Sequence, residues 1–96
     1  MALAREFDCK GWTAAQYDAL IDRCAERMNL ERDRLWPGNM FHWAAVTPSG
    51  IHVVDVYESR EAGDRLAQEQ IAPVAMELGL PMPEITEYEV HSVLAR

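Results

Sequence analysis

His42 is the residue of this chain best suited to acid–base chemistry. It lies between Met40 and Ala44 in an otherwise apolar alternating run. An imidazole exchanges its proton near neutral pH, so it can serve as a general base or as a hydrogen-bond donor. The plainer interpretation is a buried histidine that bonds to a neighbouring backbone or carboxylate group. We expect His42 to line a pocket, with catalysis as the sharper hypothesis, and no second His or Cys stands at the spacing of a metal or haem ligand.

Asp55 is a carboxylate between two valines, Val54 and Val56. A carboxylate in a buried strand must be paired, be hydrogen-bonded or have a raised pKa. It is therefore either a structural anchor, for example a partner of Trp43 or Tyr57 or of a group from a second subunit, or an acid–base group. The anchor is the favoured interpretation, and we keep Asp55 as a catalytic candidate.

Aromatic side chains form a second set of candidates, since their rings can stack on a flat ligand while their polar tips orient it. Most aromatic residues in a small domain belong to the core or to an interface, so only some of them are expected in a cleft. We select Trp43, Tyr57 and Tyr88 as ligand-binding candidates, with Tyr17 reaching in from a helix.

The elements that must position these residues follow from the apolar spacing. Residues 2–9 alternate as a partly buried strand does. Thr13 and Gln16 have the spacing of a capping box, which predicts a helix start, and Leu20 and Cys24 continue an apolar stripe along that helix.

A β-hairpin is predicted over residues 39–47 and 51–58, with Pro48-Ser49-Gly50 as the turn. If Thr47 faces Ile51, His42 shares a face with Val54, and Trp43 shares the other face with Asp55. Both faces are then largely apolar, which predicts that both are covered.

Ser59 has the properties of an N-cap for a second helix, which we expect to break at Pro73 and resume as a short helix over 73–78. Alternation over 84–94 predicts a fourth strand. The order βαββαβ predicts a single α+β domain over residues 1–96, a ferredoxin-like four-stranded antiparallel sheet with two helices on one face. The other, apolar face predicts a homodimer, with the second copy as its cover.

The composition of the chain argues against several classes of binding partner. A net charge of −7 disfavours nucleic acid, whose binding depends on Lys and Arg. No apolar stretch approaches the roughly 20 residues that span a bilayer, and no signal-peptide pattern opens the chain, so we expect a cytoplasmic protein that does not bind membranes. Cys9 and Cys24 match no zinc or redox spacing and are expected to be free, buried thiols.

Several segments together resemble the dimeric α+β barrel superfamily and, within it, small proteins related to antibiotic-biosynthesis monooxygenases. Tyr57 departs from the Trp that is common at its position. The segments are Gly11-x-Thr13-x-x-Gln16-Tyr17-Asp18, Pro37-Gly38-x-x-x-His42, Val54-Asp55-Val56-Tyr57-Glu58-Ser59-x-Glu61, Leu78-Gly79-Leu80-Pro81 and Tyr88-Glu89-Val90-His91.

The resemblance implies a homodimer with a ligand cleft between helices and sheet in each subunit. It also implies one of several chemistries, among them cofactor-free oxygenation of aromatic polyketides, cyclisation, isomerisation and haem-dependent reactions. Our first hypothesis is an enzyme without a bound cofactor that acts on a hydrophobic aromatic or polyketide-like metabolite, with His42 assisting proton transfer. The alternatives are a noncatalytic homodimeric protein that binds such a metabolite and, third, a haem-binding member.

Overall fold

The computed structural model describes residues 1–94 and has the predicted βαββαβ order. A four-stranded antiparallel sheet is arranged as β2-β3-β1-β4, and the helices pack on one of its faces. The predicted ferredoxin-like α+β class is therefore confirmed. The elements are β1 (Leu3–Lys10), α1 (Ala14–Met28), β2 (Asn39–Thr47), β3 (Gly50–Tyr57), α2 (Arg60–Leu66), a π-helical turn (Ala67–Ile71), α3 (Ala72–Glu77) and β4 (Glu84–Glu89).

Helix α1 begins and ends at well-formed caps. The Thr13 hydroxyl accepts from the Gln16 amide N–H at 3.1 Å, and the Gln16 side chain accepts from the Thr13 N–H at 2.9 Å, which confirms the capping box. Asn29 closes the helix in the left-handed conformation, with φ 55°. The buried stripe of α1 is part of the hydrophobic core, which includes both free cysteines. The buried residues of this core are Cys9, Trp12, Leu20, Cys24, Ile51, Val53 and Val74.

The second helical region corrects one prediction. Ser59 caps α2 as expected, its hydroxyl accepting from the Ala62 N–H at 3.2 Å. The expected break at Pro73 is absent, because α2 and α3 are joined by a π-helical turn in which the Ala72 N–H bonds to the Ala67 carbonyl, five residues back. Pro73 lies in the first turn of α3, where its missing N–H costs no intrahelical bond.

The hairpin register differs from the predicted one by one residue. Thr47 pairs with Gly50 across a two-residue turn, not with Ile51 across a three-residue turn. Because side chains alternate along a strand, this shift moves His42 onto the face of Asp55 and Trp43 onto the face of Val54. The predicted separation of His42 from Asp55 is therefore wrong.

The face of the sheet away from the helices, hereafter the open face, is largely apolar on β2, β3 and part of β1. Trp43 is 45% exposed and Tyr88 48% exposed there. Strand β4 ends at Glu89 and is shorter than predicted. Within residues 1–94, no helix combines the length and the apolar character that crossing a membrane requires. The open face carries the apolar side chains of Ala4, Phe41, Trp43, Val54 and Tyr88.

Candidate functional site

His42 and Asp55 form the centre of the candidate site. They are direct cross-strand partners on β2 and β3, on the face that carries the helices. The Nδ1 atom of His42 lies 2.5 Å from Oδ1 of Asp55, and Asp55 is buried at 5% exposure. A carboxylate can only accept, so Nδ1 carries a proton and Nε2 of the neutral ring is an acceptor.

Two further side chains hold the Asp55 carboxylate. The Tyr57 hydroxyl donates to Oδ2 at 2.9 Å, and the Asn39 amide donates to Oδ1 at 3.3 Å. Asn39 and His42 are three residues apart and would face opposite ways in a regular strand. A β-bulge between Asn39 and Phe41 brings both side chains to the same face. Three donors therefore hold the Asp55 carboxylate.

Tyr57 is a structural donor in this network. Its ring is 1% exposed, and burial, followed by the charge and hydrogen bond of Asp55, raises the pKa of its hydroxyl far above the ordinary value. It therefore stays neutral and keeps donating to Asp55. Its ring is enclosed and is not part of the cleft lining.

Tyr17 bonds to the other ring nitrogen of His42. Its hydroxyl lies 2.5 Å from Nε2, and the two rings are nearly parallel, at 7°. Since Nε2 is the acceptor, Tyr17 is the donor. Burial and then the negative charge of Asp55 raise the pKa of Tyr17 to about 12. Helix α1 and the hairpin together thus form a continuous hydrogen-bonded series: Tyr17, His42, Asp55 and Tyr57.

A cleft of about 300 Å³ opens beside Tyr17 and His42. Its walls combine apolar side chains with charged ones, and Arg32 is already bonded to Asp18 and Asp22, each at 2.8 Å. The volume is at the lower end of the range for small-molecule sites. The cleft is lined by Tyr17, Ile21, Arg32, Asp33, Arg34, Leu35, Trp36, Asn39 and His42.

Arg5 supports the network from behind and was missed from the sequence. It is 7% exposed, its guanidinium carbon lies 5.6 Å from the centre of the Tyr57 ring, and it is bonded to Asp64 at 2.6 Å and Glu87 at 2.7 Å. Burial acts to lower the pKa of Arg5, but the two carboxylates outweigh it and raise that pKa. Arg5 therefore remains a fixed cation against the Tyr57 ring.

Gly63 on α2 makes this packing possible. A Cβ atom at Gly63 would lie 2.8 Å from the Tyr57 ring and 3.0 Å from the Arg5 guanidinium. The helix can approach Tyr57 and Arg5 only because this residue has no side chain.

The remaining predicted ligand residues lie elsewhere. Trp43 and Tyr88 point to the open face, across the sheet from His42, and Trp43 instead packs edge-on against His52. Of the predicted site residues, the structure brings together Tyr17, His42, Asp55 and Tyr57. Within the described residues, no cluster of three His, Cys, Asp or Glu side chains is arranged to hold a metal ion.

Comparisons with known proteins identify the fold. No family model and no curated protein matches the chain. Among solved structures, it is similar to SnoaB, a cofactor-independent oxygenase from Streptomyces nogalater, with TM-score 0.58 and 21% identity over 99% of this chain and 96% of that one. A point mutant of SnoaB, in which one asparagine is replaced by alanine, gives TM-score 0.59 and 20% identity, again over 99% and 96% of the two chains.

A proposed antibiotic biosynthesis monooxygenase from Deinococcus radiodurans is also similar, with TM-score 0.56 and 15% identity over 100% of this chain and 98% of that one. At these identities the likeness establishes the fold and not the activity. The chain therefore shares the protomer fold of these proteins, the ferredoxin-like α+β fold that the sequence predicted.

Proposed function

We propose that this protein is a small-molecule enzyme that removes a proton from a hydrophobic aromatic or polyketide-like metabolite bound in the cleft. The proton transfer would begin a cofactor-independent oxygenation, cyclisation or isomerisation. The observation that carries the proposal is the series Tyr17–His42–Asp55, in which a histidine beside a cleft is oriented by a buried carboxylate.

The arrangement suits a general base. Asp55 fixes the tautomer that leaves Nε2 unprotonated, and its charge stabilises the imidazolium that forms when His42 takes a proton. Tyr57 and Asn39 hold the carboxylate in place, so little reorganisation is needed when charge develops. Positioned acid–base groups of this kind contribute about 10²–10⁴-fold to a rate.

Oxygenation needs only this proton transfer if the substrate is itself electron-rich. Removal of a proton from a CH₂ group flanked by aromatic rings gives a carbanion, which forms a C–O bond with O₂ and takes up a proton to give a hydroperoxide. Loss of water from the hydroperoxide gives a carbonyl, so the balance is one O₂ consumed and one H₂O released. The structural likeness to SnoaB, a cofactor-independent oxygenase, supports this branch.

We further propose that the protein is a homodimer formed through the open face. Trp43 and Tyr88 leave about half of their surfaces exposed on a face that also carries Phe41 and Val54. A second copy of the same face offers matching apolar area.

The test uses anthrone, a flat carbon acid, with 2-tetralone as a second, enolisable compound. Oxygen uptake with anthrone and hydrogen–deuterium exchange into 2-tetralone both report proton removal, the second without requiring O₂ chemistry. We expect the wild type to accelerate at least one of them and His42→Gln to lose about 10²-fold or more. His91→Gln, at an exposed position beyond β4, is the matched control and should keep full activity.

Saturable binding of both compounds without any acceleration would contradict the enzyme proposal. That outcome would favour the alternative, a protein that binds hydrophobic metabolites without transforming them.

A further inference from the structure

Both ring nitrogens of His42 are already bonded within the protein. Nδ1 donates to Asp55, and Nε2 accepts from the Tyr17 hydroxyl, each at 2.5 Å. A substrate in the cleft therefore does not meet a free lone pair on His42. The group that stands between the imidazole and the cleft is the hydroxyl of Tyr17.

The Tyr17 oxygen has capacity for one more partner. A phenolic hydroxyl has one donor hydrogen and also accepts hydrogen bonds. Its hydrogen is directed to His42, and among residues 1–94 no side chain or backbone group donates to its oxygen. Tyr17 also lines the cleft, so a substrate O–H can donate to it.

We propose that Tyr17 is the catalytic residue that touches the substrate, and that it passes the substrate's proton on to His42. This inference rests on the proposed function and specifies its substrate class, a phenol or the enol form of a ketone. The substrate O–H bond breaks and a new O–H bond forms at Tyr17, while the original Tyr17 proton moves to Nε2. The products are a substrate oxyanion and an imidazolium bonded to Asp55, and Tyr17 ends unchanged.

The surroundings of Tyr17 favour transfer of both protons together. Burial and the charge of Asp55 disfavour a free tyrosinate, so the hydroxyl is a poor place for negative charge to rest. The positive charge develops instead on His42, beside the Asp55 carboxylate. Of the other titratable groups that act on Tyr17, Asp18 and Cys9 raise its pKa and Arg32 lowers it.

Tyr17→Phe separates this relay from direct catalysis by His42. With anthrone, whose enol form carries the required O–H, we expect the variant to lower kcat about 10²-fold and to raise KM by at most about 10-fold, the worth of the lost hydrogen bond. The dependence of rate on the D₂O fraction should be curved for the wild type, because two protons move, and linear for the variant. If Tyr17→Phe keeps or raises kcat while His42→Gln loses it, the relay is wrong and the proposed function survives. If neither variant lowers the rate, both fail.

Binding gives a readout that does not depend on turnover. We expect the wild type to bind 1-naphthol about 3- to 10-fold more tightly than 1-methoxynaphthalene, the worth of one hydrogen bond, and Tyr17→Phe to bind both equally. Equal affinities in the wild type would overturn the inference. Should Tyr17→Phe unfold, 3-fluorotyrosine at position 17 keeps the shape and acidifies the hydroxyl, and an unchanged kcat in that protein would also overturn it.

Discussion

The Asp55 carboxylate lies directly across the hairpin from His42 and accepts its Nδ1 proton at 2.5 Å. This pairing depends on the two-residue turn at Pro48 and Ser49, since a turn one residue longer would place the two side chains on opposite faces of the sheet. The hairpin thus aligns the base, and α1 supplies Tyr17 to its second nitrogen.

The Asp55→Asn variant should show whether Asp55 acts by orienting the His42 ring or only by filling space in the core. An amide can donate to Nδ1 and so permit the tautomer with hydrogen on Nε2, which cannot accept from Tyr17. We expect kcat for anthrone to fall about 10²–10⁴-fold while its Kd changes less than about threefold. Nitrogen NMR of His42 should show the proton leaving Nδ1. Unchanged turnover together with that tautomer shift would contradict the assigned role.

Gly63→Ala should destabilise the protein, although the same change in an exposed helix stabilises it by up to about 1 kcal/mol. The added methyl would overlap the Tyr57 ring and press on Arg5. We expect the free energy of unfolding to fall by about 1–3 kcal/mol, as for other overpacked sites. Urea denaturation measures this directly, and a gain in stability would show that Tyr57 and Arg5 are not tightly packed.

Stability should fall in acid partly through Glu87. The hydrogen bond from Arg5, and then that from Arg60, lowers the pKa of Glu87 below its ordinary value of 4.5. A lowered folded-state pKa means that this contribution is complete above about pH 4.5 and is lost as the pH falls through the folded value.

Glu87→Gln should therefore make the decline in stability between about pH 5 and pH 3 less steep. Glu58→Gln, an exposed carboxylate without an ion pair in residues 1–94, should leave the slope as it is. Thermal unfolding across this pH range tests the pair, and identical slopes for both variants would count against the Glu87 assignment.

Trp43→Lys should dissociate the proposed dimer. A charge placed on the open face would be buried against its own copy, which we expect to weaken association about 30-fold or more. Met76→Lys, on the outer side of α3 and 79% exposed, should leave the dimer intact. Sedimentation velocity across micromolar concentrations distinguishes the two, and a monomeric wild type would refute the dimer itself.

Much of the fold was predictable because local signals agree with it. The capping box at Thr13, the N-cap at Ser59 and the alternation in each strand all correspond to observed elements. The register of the hairpin could not be predicted, because Pro48-Ser49-Gly50 suits either a two- or a three-residue turn. A shift of the register by one residue moves every side chain to the other face of the sheet. Trp43 was selected by its aromatic type alone, and the observed register places it on the open face.

The site was predictable in part. His42 and Asp55 were recognised by type, but the hydrogen bond between them depends on the register. The sequence does contain a signal for Arg5, because this charged residue shares the parity of the apolar residues Leu3 and Cys9 in β1. The sequence contains no such signal for Asn39, because only the β-bulge brings its side chain onto the same face of the sheet as His42.

The π-helical turn between α2 and α3 changes the direction in which the side chains after it point around the helix axis. In an uninterrupted α-helix, eight residues rotate the side-chain direction by about 80° beyond two full turns, which would point Val74 well away from Leu66. The extra residue taken up by residues 67–71 removes roughly one residue's rotation, so Leu66 and Val74 both face inward and are both buried. The π-helical turn therefore accommodates one additional residue while both helical halves stay packed on one sheet. Deleting a single residue from 67–71 would leave a regular α-helix in which seven residues make nearly two full turns, so Val74 would still face inward.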